Sequence, residues 1–91
     1  MSNNNRWLVF KMRAKMCPIP THFPNKYKNK SCRLGCEAEE ETLNHINKCK
    51  LQPNNYNINI EHLYNGTAEQ MKYVAMKLEN LISEREELIK Q

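Results

Sequence analysis

The chain has 91 residues, with 14 Lys and Arg against 10 acidic residues that are all Glu, and 40% of it is hydrophobic. That length holds a single domain, 1–91, whose core is small enough to call for a staple. With two Gly, no Asp and no apolar run longer than Trp7-Leu8-Val9-Phe10, it excludes a Gly-rich phosphate loop and a membrane span, and a carboxylate-based hydrolase is a poor fit. Residues 1–6 flank only that short apolar run and lead into Lys11, Arg13 and Lys15, unlike a secretory signal peptide. The expectation is an intracellular protein, nuclear or cytoplasmic, with cysteines free or metal-bound rather than disulfide-paired.

Charge is uneven along the chain. Arg6, Lys11, Arg13, Lys15, Lys26, Lys28, Lys30 and Arg33 all precede the first acid, Glu37, and the remainder is net acidic. A basic block of this kind attracts phosphates through counterion release, or an acidic protein surface, with an affinity that falls with salt. The plainer reading is a solvated face and a solvated loop.

Residues 5–16 predict a short helix capped by Asn4 or Asn5, with Leu8, Val9, Met12 and Met16 on one side; a strand through Trp7–Phe10 is the alternative. Pro18, Pro20 and Pro24 then forbid regular helix, so 5–31 reads as a basic helix followed by a Pro/Lys loop. A second helix is expected from about Glu39 to Lys50, with glutamates at its start and Lys48 and Lys50 at its end, where the dipole favours each. Pro53-Asn54-Asn55 breaks it, and Asn57-Ile58-Asn59-Ile60 predicts a short extended piece.

The last element is the clearest. Thr67 with Gln70 makes a capping box, and Met71, Val74, Ala75, Leu78, Leu81, Ile82, Leu88 and Ile89 form an apolar stripe on a helix over 67–90. Arg85 interrupts the steps of three and four along that stripe. The stripe predicts core packing on the rest of the chain, or more weakly a homodimeric or partner-docking helix. The fold class is thus small and mainly α, a zinc-stapled knuckle at 32–50 flanked by a short N-terminal and a long C-terminal helix.

The knuckle rests on Cys32, Cys36, His45 and Cys49, spaced C-x3-C-x8-H-x3-C. Zn²⁺ takes four soft or borderline ligands in a tetrahedron, and ligands a few residues apart let one turn deliver a pair. Gly35 relieves the turn between the first two thiols, and His45 and Cys49 fall four apart on one helical face. Buried thiols with a surface His, or two disulfides, are the alternatives. Cys17, His22 and His62 lack ligand-spaced partners; Cys17 reads as a small buried hydrophobe, and either His is a candidate substitute ligand. Four protein ligands leave no open position, which makes such a site structural and the protein not an enzyme.

Phe10-Lys11-Met12-Arg13, Asn25-Lys26-Tyr27-Lys28, Cys32-Arg33-Leu34-Gly35-Cys36, Glu41-Thr42-Leu43-Asn44-His45 and Cys49 resemble the C-terminal zinc-knuckle region of non-LTR retrotransposon reverse transcriptases. The resemblance covers about residues 8–50. It implies Cys32, Cys36, His45 and Cys49 as ligands, a nucleic-acid-binding role and nothing catalytic, because the polymerase part has no counterpart in these residues. The family usually spaces the first pair Cys-x-x-Cys, where this chain has three intervening residues. The leading expectation is a module binding RNA or single-stranded DNA through Arg6, Lys11, Arg13, Lys15, Lys26, Lys28, Lys30 and Arg33, with Trp7 or Tyr27 stacking a base. The second is a zinc-ordered protein adaptor acting through the C-terminal helix.

Overall fold

The structure, a computed structural model, describes residues 3–23, 25–26, 31–35, 40–52 and 58–90. Within them lie four helices: α1 (Asn3–Arg13), α2 (Leu43–Lys48), α3 (His62–Asn65) and α4 (Ala68–Ile89). The small, mainly helical architecture and the long final helix match the sequence expectation. No strand occurs among the described residues beyond a single antiparallel bridge between Ser31 and Glu40.

The first helix ends earlier than its apolar spacing predicts. Lys15 adopts a left-handed backbone, φ 58°. Around it the Met16 N–H reaches the Lys11 carbonyl at 3.0 Å and the Lys15 N–H the Met12 carbonyl at 3.4 Å. That pair of bonds is a Schellman closure, with a lysine where glycine is the usual occupant. Leu8, Val9 and Met12 are buried as expected, but Met16 lies past the closure and is 41% exposed.

The second helix is shorter than the predicted 39–50. Thr42 is extended and its hydroxyl accepts the His45 N–H, so the helix starts at Leu43. Glu40 is held in the bridge to Ser31, and Glu41 is wholly buried rather than decorating a helix start. Long-range partners therefore take the two glutamates that the dipole argument assigned to the first turn. Asn47 of α2 then clamps the segment after the break: its side-chain amide donates to the Ile58 carbonyl (2.7 Å) and accepts the Ile58 N–H (3.3 Å). Asn57, in the predicted extended piece, lies outside the described residues.

The final helix follows its sequence signals closely. Both halves of the Thr67–Gln70 capping box form. Val74, Ala75, Leu78, Leu81 and Ile82 are buried where α4 packs on α1, α2 and α3. The stripe thus closes the chain's own core with Leu8, Val9, Met12, Cys17, Ile19, Leu43, Ile46, Ile58 and Leu63. α3, four residues contributing Leu63 to that core, has no counterpart in the sequence expectation. No helix is long and apolar enough to cross a membrane among the described residues.

Candidate metal centre

The bridge between Ser31 and Glu40 draws the ends of the intervening segment together and sets Cys32 beside the start of α2. Gly35 makes the turn after Cys32. Its N–H bonds the Cys32 carbonyl at 3.1 Å and its φ is +101°, a conformation that favours glycine. α2 supplies His45 from its first turn, and the chain leaves the helix at Cys49, whose backbone is already extended.

These elements converge. The ligand atoms of Cys32, His45 and Cys49 all lie within 4.8 Å of one another, and all three residues are buried. The Cys32 and Cys49 sulfurs are 3.8 Å apart. A disulfide would place them about 2.05 Å apart. A tetrahedral ion with metal–sulfur bonds of about 2.3 Å places two sulfurs roughly 3.8 Å apart. The donor set and its spacing therefore fit a metal ion. Cys36, the fourth ligand expected from sequence, lies outside the described residues. Cys17, His22 and His62 stand apart from the cluster: the Cys17 thiol packs on Met12 sulfur at 3.2 Å, His22 Nδ1 accepts the Cys17 N–H, and His62 Nε2 lies 3.5 Å from the Asn59 amide. Burial pushes the Cys17 thiol up to about 11, and burial with nearby Lys15 pulls His22 down.

Beside the cluster is a buried ion network that the sequence reading missed. Arg85, whose side chain is fully buried, donates to Glu41 Oε1 (2.9 Å), to Gln52 Oε1 (2.9 Å) and to Cys32 Sγ (2.9 Å). Arg33 grips the same carboxylate, with its guanidinium at 2.8–3.2 Å from the two oxygens and its backbone N–H at 2.9 Å, and reaches Glu86 on α4. Gln52 completes the tie to α4 by donating to the Leu81 carbonyl at 2.7 Å. Burial opposes charge on Glu41, yet the bonds from Arg33 and Arg85 outweigh it and hold the carboxyl below its ordinary range. Burial likewise opposes charge on Arg85, but Cys49, Glu41 and Cys32 outweigh it and raise its pKa. The one sequence signal was a lone arginine on an apolar stripe; its partners are far away along the chain, and spacing carries no trace of them.

The basic residues divide. Arg6, Arg13, Lys15 and Lys26 are exposed and Lys11 is half-buried. Arg33 is engaged by Glu41 and Glu86, and Lys28, Lys30 and Tyr27 lie outside the described residues. On α1, Trp7 and Phe10 are 55% and 53% exposed and stack on each other with ring centroids 5.5 Å apart. A shallow groove of about 420 Å³ runs beside them, lined by Arg6, Val9, Phe10, Arg13 and Ala14.

No known protein family, curated protein or solved structure matches this chain.

Proposed function

We propose that the chain is a non-catalytic zinc-ordered module that binds RNA or single-stranded DNA. The metal half of this reading rests on the 3.8 Å separation of the Cys32 and Cys49 sulfurs with His45 beside them. Two thiols and an imidazole are the donor chemistry zinc favours, and Cys36, directly after Gly35, supplies the fourth ligand from the sequence spacing. A site closed by four protein ligands orders the fold and offers no position for a substrate water.

The binding half is supported by the exposed Trp7–Phe10 stack and by the groove beside it, which Phe10, Arg6 and Arg13 help to line with no carboxylate among its lining residues. Exposed aromatic faces flanked by guanidinium groups suit unpaired bases on a phosphate strand. The resemblance to the retrotransposon knuckle points the same way. A docking role for the C-terminal helix has less to work with, because its apolar stripe faces the chain's own core.

Trp7 is the only tryptophan, so its fluorescence reports the proposed surface directly. Titration of the zinc-loaded chain with an unlabelled oligonucleotide quenches it, and log K falls with log salt at about −0.7 per phosphate contact. Trp7→Ala costs about 1–3 kcal/mol of binding, measured by anisotropy of a labelled strand. Absence of quenching and of anisotropy change at about 50 mM salt, or a salt slope near zero, sinks the nucleic-acid half. Less than one equivalent of zinc retained by the purified chain after dialysis sinks the metal half.

A further inference from the structure

We propose that Arg85 is an outer positioning residue of the metal centre: its guanidinium donates to ligand sulfur and offsets the cluster's negative charge, while Glu41 and Gln52 hold it in place. The inference rests on the metal reading above and goes beyond it, since it ties the centre to a helix that supplies no ligand.

The geometry is specific. Arg85 Nη2 lies 2.9 Å from both Cys32 Sγ and Glu41 Oε1, and Nη1 lies 2.9 Å from Gln52 Oε1. Arg85 and Glu41 have no exposed surface, and Gln52 is buried. A planar guanidinium meets three such acceptors at once, which an ammonium on a flexible stem does not. Charge accounting gives the same answer. Glu41 is shared between Arg85 and Arg33, so two guanidinium charges face one fully buried carboxylate. Arg33 also pairs with Glu86 at 2.8 Å, so Arg85 is the guanidinium whose remaining contacts fall on the cluster, with Cys32 Sγ as acceptor and Cys49 beside it. A guanidinium donating to sulfur offsets the negative charge that thiolate ligands bring to such a centre. A buried guanidinium would be costly without that counter-charge.

Donors to ligand sulfur typically alter metal affinity by about 10–100-fold when removed. The test uses the full chain, with Zn²⁺ affinity read by competition against a chromophoric chelator and Co²⁺ binding read by its sulfur-to-metal charge-transfer band. Replacing the ion pair by neutral groups (Arg85→Met with Glu41→Gln) avoids stranding a buried charge and is expected to weaken Zn²⁺ binding by about 10–100-fold and shift the Co²⁺ band. Arg85→Lys recovers part of that loss. Val74→Ala, three turns away on α4, controls for packing: it lowers thermal stability and leaves Zn²⁺ affinity within about threefold. A double variant within threefold of the parent overturns the proposal, as does an equal loss of affinity in Val74→Ala. If the double variant does not fold, Arg85→Lys decides: a loss of about fivefold or more supports the role and parental affinity refutes it. A parent chain that binds no metal refutes the underlying reading instead, so the two failures are distinct.

Discussion

Glu41 shows how much one side chain carries in a chain this short. Its carboxylate has no exposed surface, and it accepts from two guanidiniums and a backbone N–H. Those bonds hold its pKa below the ordinary 4.5, so the folded state prefers the ionised form. The sign follows: the stabilisation is complete above about pH 5 and is lost as the pH falls through the depressed folded value. Urea midpoints taken from pH 7 to pH 2 should fall accordingly. Glu41→Gln strands the buried Arg85, while Arg33 keeps Glu86, and we expect it to cost about 3–5 kcal/mol at pH 7 and to flatten that acid limb. An unchanged acid limb in the variant would assign the pH dependence to other carboxyls.

At the scale of elements, the two ends of α1 and α4 differ in how they are specified. α4 begins where Thr67 and Gln70 cap it, a local interaction written within four residues. α1, which ends at Arg13, is closed by Lys15 in a left-handed conformation that suits glycine. Lys15→Gly should therefore stabilise the fold by about 1 kcal/mol in thermal or urea denaturation. The same variant removes an exposed cation, so the salt slope of oligonucleotide binding should shrink by about 0.7 if Lys15 contacts a phosphate. The start of α2 was not legible because Glu40 and Glu41 have tertiary partners, and α3 was not legible because four residues are too few to show a period.

For the whole molecule, the network makes the candidate metal centre and the core one unit. Cys32 and Cys49 meet Arg85, Gln52 meets the Leu81 carbonyl, and Arg33 meets Glu86, so contacts at Leu81, Arg85 and Glu86 join the knuckle and the residues just after it to the second half of α4. Metal binding and folding should be coupled. Chelation should thus remove more far-ultraviolet helical signal than the six residues of α2 provide, and hydrogen exchange should quicken at Leu81–Arg85 as well as at His45–Cys49. Exchange confined to the knuckle would show that α4 stands without it. Much of this arrangement was legible beforehand: Cys32, His45 and Cys49, the basic first third, the apolar stripe and its cap all follow from local spacing and periodicity, because each is set by neighbours within a few residues. The tertiary structure alone decided that the stripe closes this chain's own core, that Arg33 and Arg85 share one buried carboxylate, and that an apparent flaw in the last helix meets the sulfurs of Cys32 and Cys49. Those facts join residues up to 53 positions apart, where only folded geometry, and no sequence period, brings opposite charges into a common dry space.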